Sequence, residues 1–262
     1  MRTISCEVLR IFFGEIRFIL TISLLKYFCF TIINKIIKFK ICKAISNLLL
    51  RNCLYNIRNA QMLLHPFAPS TIDKDSKILI LGSFPSVASR EMGFYYAHPQ
   101  NRFWKVLGAL FDDETIYSKP TKPSEEQYQE YIKTQKAFLQ SHSIVLWDIV
   151  RSCEIRGSSD SSLRNITFND IFTLLHTSEI RAIFLNGIKA TTLFQQYCKN
   201  LGFPTTIQTR PHYKILVPTE SLALKLGRKI HIFSLPSTSP ANAKYSLNSL
   251  IDSWRILLDF CG

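Results

Sequence analysis

The chain has 262 residues, 47% of them hydrophobic, enough apolar material for a sizeable core and too much for a disordered or low-complexity protein. A net charge of +13 suggests a polyanion or membrane surface until it is divided along the chain: residues 1–61 hold ten Lys/Arg against Glu7 and Glu15, residues 62–262 hold 22 against 17. The seven cysteines are scattered with no CxxC pair or zinc-type spacing, which argues against a metal or iron–sulfur cluster and for reduced thiols inside the cell.

Residues 1–61 read as a different object from the rest. Their apolar stretch from Phe18 to Ile33 is broken by Lys26, and a spanning helix needs about 20 mostly apolar residues. Three readings compete: a membrane anchor, an amphipathic or targeting segment, or an upstream extension of a chain whose working start is Met62. The abrupt change of composition at Met62 favours the third, so residues 62–262 are expected to form the functional domain and membrane association is not expected.

From there strand and helix signals alternate. Lys77–Leu81 is a short apolar run that meets Gly82 and opens into a long loop with two prolines, four aromatics and a histidine. Ordinary connections of this kind take about 2–6 residues, so the excess length needs a reason. The loop closes into a helix over Asn101–Phe111. A second helix is expected from Ser124, which makes a capping box with Gln127, to about Gln140. A strand over Ser143–Ile149, a short helix over Asn169–His176, a strand over Arg181–Leu185, a helix over Lys189–Leu201 and a strand over Lys229–Leu235 come next. Pro240–Phe260 reads as a closing helix, with Ser239 as N-cap and Pro240 at its first position. Four continuous apolar strands alternating with helices predict an α/β fold: a three-layer α/β/α sandwich around a central, mostly parallel four-stranded sheet.

In such a sheet the ligand lies at the carboxyl ends of the strands. These are Gly82 to Ser86, Trp147–Asp148, Asn186–Gly187 and Pro236 to Ser239. They offer neutral polar groups beneath an aromatic loop, with no Ser/His/Asp order, no Walker loop and no paired carboxylates. That set suits a reaction in which a leaving group needs hydrogen bonds and a water must be placed, such as cleavage of an N-glycosidic bond.

GSFPS at the first strand end, YYAHPQNRFW after it and the late LPSTSPANA resemble the uracil-DNA glycosylase superfamily, most closely its hypoxanthine (deoxyinosine) DNA glycosylase branch. LWDIV, RSCEIRGSSDSS and LNG look like the same branch, so the resemblance runs from about Leu64 to the C-terminus. It implies a uracil-DNA glycosylase-like fold and an intracellular DNA repair enzyme acting on double-stranded DNA with a deaminated base. Such an enzyme flips out hypoxanthine and excises it by water attack at C1′, without metal, cofactor or obligate protein partner. Many members of the superfamily keep Asp or Asn three residues into the first motif to activate water. Phe84 stands there in this chain, so the resemblance moves water placement to Asn101.

The same positions supply the other candidate site residues. Phe84, Tyr95 and Tyr96 are stacking candidates, Phe84 alternatively being core. Asp148 would accept from N1–H of hypoxanthine or else be a structural carboxylate. Asn186 would contact the base or a loop. Ser83, Ser86, Ser237, Thr238, Ser239, Asn242 and Lys244 are candidates for DNA phosphates, the Ser237–Ser239 group being expected at a helix N-terminus. His98 either faces the leaving base or a phosphate, or shapes the loop before Pro99. Asn101 fits equally well as a helix N-cap. Competing functions are a mismatch-specific uracil-DNA glycosylase, a non-catalytic nucleotide- or DNA-binding module, and a membrane-associated protein built on residues 1–61.

Overall fold

Strands form where the apolar runs predict them, and they pair side by side. The structure is a computed structural model and describes residues 62–118, 124–155 and 162–261. The expectations for residues 1–61 lie outside them, as does half of the RSCEIRGSSDSS motif, residues 156–161.

β2 (Ile78–Gly82) is buried along its whole length because it lies between two parallel neighbours. β3 (Ile144–Asp148) pairs with it from Ile78↔Ile144 to Gly82↔Asp148, and β6 (Ala182–Asn186) from Ile78↔Ala182 to Leu81↔Leu185. β9 (His231–Leu235) adds in parallel to β6. The four carboxyl ends therefore share one edge. Side-chain alternation divides the core into two layers. Leu79, Leu81, Val145, Ile183 and Ile232 pack under Leu174 of α4 (Ile171–His176), Leu193 and Phe194 of α5 (Ile188–Asn200) and Leu222 of α6 (Glu220–Leu226). Ile78, Ile80, Ile144, Leu146 and Phe184 pack under α2 (Phe103–Phe111), α3 (Glu125–Ser141) and α7 (Leu247–Trp254). This is the expected three-layer α/β/α arrangement.

Two features differ from the expectation. The sheet has six strands rather than four: β8 (Lys214–Pro218) joins β9 antiparallel and β7 (Thr205–Thr209) pairs outside it, giving the order β3-β2-β6-β9-β8-β7. A second, three-stranded antiparallel sheet joins β1 (Met62–Leu64), β4 (Val150–Glu154) and β5 (Arg164–Phe168). The chain passes from β3 into β4 across Ile149 alone. The main-chain N–H groups of Ile149 and Val150 donate to the carbonyls of Gly82 and Ser83 (3.0 and 3.1 Å), which bends the strand away just after Asp148. Residues 65–70 then run beside β3, where Ser70 exchanges hydrogen bonds with Leu146, so the free edge of that strand is covered.

The closing helix is shorter than expected. Ser246, not Ser239, caps α7 through Ser249, and Arg255–Phe260 continues as a 3₁₀ helix. Residues 236–245 form a loop instead, because Arg102 takes up their carbonyls. Its guanidinium donates to Ser239 and Asn242 (2.9 Å each), to Thr238 (3.4 Å) and to Tyr245, and its main-chain N–H donates to Thr238 (3.1 Å). Carbonyls held this way are not free for a helical ladder. Among the described residues no helix is long and apolar enough to cross a membrane.

Candidate active site

The carboxyl edge of the sheet carries a cavity of about 110 Å³ lined by Gly82 to Ser86, Ser89, Tyr95, Tyr96, Asn101, Asp148, Asn186 and Ser237 to Ser239. The space is smaller than the about 150 Å³ of an engineered cavity that holds a benzene ring, so it takes the edge of a planar base and not a whole nucleotide. Much of the long loop goes into building its wall. Ser86 caps a short helix, α1 (Val87–Met92), accepting from the N–H of Ser89 (3.2 Å), and Gly93 ends it with φ +71.

The aromatic wall is fixed from behind. Tyr96 adopts φ +53, an uncommon backbone conformation for a bulky residue, and its ring stacks on Phe103 with centroids 3.8 Å apart. Phe103 is fully buried and meets Trp104 and Trp254 edge-on. Tyr95 donates its hydroxyl to the carbonyl of Ala68 (2.9 Å), and burial, then the nearby Asp148 carboxylate, push the phenol far above its ordinary pKa. Phe84 is 7% exposed; one edge contact is with His65 and the Arg90 guanidinium lies 5.8 Å from its ring centre. All three predicted rings line the cavity, yet each also belongs to the core, so the stacking and core readings of Phe84 coexist.

Asn101 stands at the start of α2. Its side-chain oxygen accepts the N–H of Phe103 (3.0 Å), which fixes the amide's orientation and leaves that oxygen a second lone pair beside the cavity. Arg102, not Asn101, is the N-cap position of α2, so the N-cap expected at Asn101 falls one residue early; its side chain still holds a first-turn N–H and borders the cavity. Asp148 lies at the turn between the two sheets, its carbonyl accepting from Asn169 (2.8 Å). Its carboxylate is near Gly82, where a Cβ would come within 2.1 Å of Oδ1. Only glycine leaves that room.

Asn186 faces a loop partner. Its Nδ2 donates to Thr238 Oγ1 and its Oδ1 accepts the Thr238 N–H, both at 3.0 Å. Thr238 is 0% exposed. The structure therefore turns Thr238 away from the phosphate contact expected of it and makes the pair a tie between β6 and the 236–245 loop. Gly187, at φ +100, permits this approach, since a Cβ there would stand 2.7 Å from that of Ser237. With the helix starting only at Ser246, Ser237–Ser239 is no helix N-terminus and the anion site built on that expectation is absent. Ser237 receives the N–H of Ser239 on its hydroxyl and the side-chain amide of Asn242 on its carbonyl. His98 does not line the cavity: its Nδ1 accepts the N–H of Gln100 (3.2 Å) and its carbonyl that of Asn101, so it shapes the loop.

Ser237 and Ser239 also border a wider groove of about 590 Å³, where Lys189, Arg210, His212, Lys214, Asn242 and Lys244 come together. Lys214 and Arg210 come from β8 and the β7–β8 turn, which the sequence patterns do not predict. Ser89, Arg102 and His65 also escape a reading of the sequence as site residues. A serine three positions after Ser86 and an arginine in HPQNRFW are visible signals; His65 has none, being a lone histidine before Pro66 and far from the motifs.

The family model described as the Uracil DNA glycosylase superfamily matches residues 69–258. A hypoxanthine DNA glycosylase of Methanosarcina acetivorans is 27% identical over 181 residues, 69% of this chain and 89% of that protein. A hypoxanthine DNA glycosylase of Methanosarcina barkeri is 26% identical over 140 residues, covering 53% and 80%. A solution NMR structure from Methanosarcina acetivorans, described as a candidate uracil DNA glycosylase, superposes with a TM-score of 0.50 at 26% identity, covering 75% of this chain and 96% of that one. With most of the chain matched and the cavity at the predicted strand ends, the chain belongs to the uracil DNA glycosylase superfamily.

Proposed function

We propose that this DNA glycosylase excises hypoxanthine from deoxyinosine in double-stranded DNA and leaves an abasic site. The observation that carries this reading is the placement of Asp148. Its carboxylate oxygen sits over Gly82 in an aromatic-walled cavity, where it can accept a hydrogen bond from the edge of a base that carries a ring N–H. Hypoxanthine carries such a hydrogen at N1 and adenine does not. The two relatives named hypoxanthine DNA glycosylase support the same substrate.

The base enters by leaving the duplex, at a cost of a few kcal/mol that is smaller for a mispair such as inosine opposite thymine. Phe84, Tyr95 and Tyr96 enclose it. Water, held by the second lone pair of Asn101 Oδ1, attacks C1′ as the C1′–N9 bond breaks; its oxygen becomes the C1′ hydroxyl, and its proton balances the departing base. The transition state is oxocarbenium-like and needs an oriented water more than a strong base, so an amide suffices. Among the described residues no lysine lines the cavity, which favours hydrolysis over an amine nucleophile. The adjoining groove, with Lys189, Arg210, Lys214 and Lys244, suits the phosphates on one side of the flipped nucleotide, with Ser83, Ser86, Ser237, Ser239 and Asn242 nearer the sugar.

Uracil also presents a ring N–H, so mismatch-type uracil excision is the second reading. The test is to incubate the full chain with duplexes holding one inosine, uracil or xanthine and to assay alkali-labile sites. Cleavage at inosine is expected. Excision of uracil with inosine untouched overturns the substrate, and binding without cleavage of any duplex makes the protein a binding module.

A further inference from the structure

The second oxygen of Asp148, Oδ2, lies 2.8 Å from Nε2 of His65. The two side chains are 2% and 5% exposed, and the imidazole is enclosed by the rings of Phe67, Phe84 and Tyr95. His65 is held in place independently of Asp148. Its main-chain N–H donates to the carbonyl of Arg151 in the small sheet (2.7 Å). Its Nδ1 lies 2.8 Å from the carbonyl of Phe67, with the Phe67 N–H approaching the same nitrogen from 3.2 Å. The small sheet thus brings a histidine to the back of a carboxylate whose front is on the cavity.

This contact restricts where a proton can stand. At 2.8 Å an imidazole nitrogen and a carboxyl oxygen share one hydrogen. Either Nε2–H donates to a carboxylate, or a carboxylic Oδ2–H donates to a bare Nε2. In both arrangements the hydrogen lies on the Oδ2 side and Oδ1 has none. Without a partner on Oδ2, nothing would fix a proton of that carboxyl to one oxygen, and it could stand on either. Oδ1–H would then be a donor, which is the partner that N1 of adenine requires.

We propose that His65 is the specificity-determining positioning residue of this pocket: by keeping the proton of the pair on Oδ2, it makes Asp148 Oδ1 a permanent acceptor that admits bases with a ring N–H and rejects adenine and cytosine. This rests on reading the cavity as the base pocket. It explains why a histidine is buried behind the aromatic wall, where it touches neither solvent nor the cavity. It also defines the substrate class by chemistry: bases with a ring N–H at this edge, hypoxanthine and uracil as against their amino parents adenine and cytosine.

The experiment compares single-turnover excision of inosine opposite thymine with that of adenine opposite cytosine, for wild type, His65→Phe and His65→Gln, with thermal melts to verify folding. A glutamine amide can donate to Oδ2 from the position of Nε2 and should preserve the preference for inosine. Phenylalanine should narrow the inosine/adenine ratio by about 100-fold, as expected when a buried donor–acceptor match is lost. A wild-type ratio in His65→Phe, or equal loss in both variants, overturns the proposal. If His65→Phe does not fold, Asp148→Asn supplies the second reading. His65 then holds the amide oxygen, the NH₂ faces the cavity, and preference should turn toward adenine; preference unchanged overturns the proposal. If wild type excises no base, the functional reading fails separately. Calorimetry with free hypoxanthine and adenine then decides, and equal affinities for the wild-type protein overturn the role of His65.

Discussion

Replacing Arg102 with methionine tests whether the loop facing the active site is held by that one side chain. Methionine keeps most of the stem and removes the guanidinium. Lost are bonds to the carbonyls of Ser239 and Asn242 at 2.9 Å, the bond to Tyr245 and a longer one to Thr238. Hydrogen bonds from a charged donor contribute about 1.5–3 kcal/mol each. The carbonyls of Ser239, Asn242 and Tyr245 lie in half-buried residues and regain water, so the low end applies; with the longer Thr238 bond left out, the three come to about 4.5 kcal/mol. For a domain of about 150–250 residues each kcal/mol moves Tm by about 2–4 °C, giving a fall of about 9–18 °C by calorimetry. Arg102→Lys, a point charge that serves fewer carbonyls at a time, should recover less than half. Excision should fall in parallel, because the same loop carries Ser237, Thr238 and Ser239 into the cavity. A Tm within about 2 °C of wild type, or a lysine variant as stable as wild type, would show that the loop is held by something other than this guanidinium.

Two other expected outcomes rest on particular atoms. Gly82→Ala puts a methyl group 2.1 Å from Asp148 Oδ1. It should displace the carboxylate, cost about 1–3 kcal/mol and reduce inosine excision by about 100-fold or more; near-normal activity would show that the carboxylate need not stand there. Burial pushes the Cys198 thiol up to about 12 from an ordinary value near 9. The neutral thiol is favoured in the fold, so its contribution is complete below about pH 9 and is lost as pH rises toward 12, at about 1.4 kcal/mol per pH unit. Burial raises the Tyr197 phenol to about 12 as well, which acts in the same direction. Urea unfolding in reductant at pH 8 and pH 10.5 should show a marked alkaline loss that Cys198→Ala reduces. An equal loss in the variant would contradict the assignment.

Local chemistry is the part of this fold that the sequence displays openly. The parallel strands are continuous apolar runs because both of their faces are covered, and such runs stand out in any sequence. The Ser124–Gln127 capping box forms as expected, with both reciprocal hydrogen bonds, since its partners lie within one turn of each other. The β7–β8 hairpin is hidden for the opposite reason. β7, TTIQT, is largely exposed at the sheet edge, and no Asn-Gly or Asp-Gly turn announces the reversal. Ser239–Pro240 fits the rules for a helix start, but the residue that overrides them, Arg102, lies 137 positions from Ser239. Asn101 and Asp148 are legible through their motifs and strand ends. His65 reaches Asp148 across 83 positions by way of the small sheet, a pairing that no pattern in the sequence announces.

In the proposed reaction Asn101 places the water, because Phe84 stands where the first motif usually supplies that group. The most direct measurement is the single-turnover rate of hypoxanthine release from an inosine·thymine duplex by wild type and Asn101→Ala, with duplex affinity measured alongside. The expected outcome is a fall of about 10²–10³-fold in rate with affinity within a few fold, and at most about 1 kcal/mol of stability lost with the Phe103 N–H contact. An unchanged rate would contradict it.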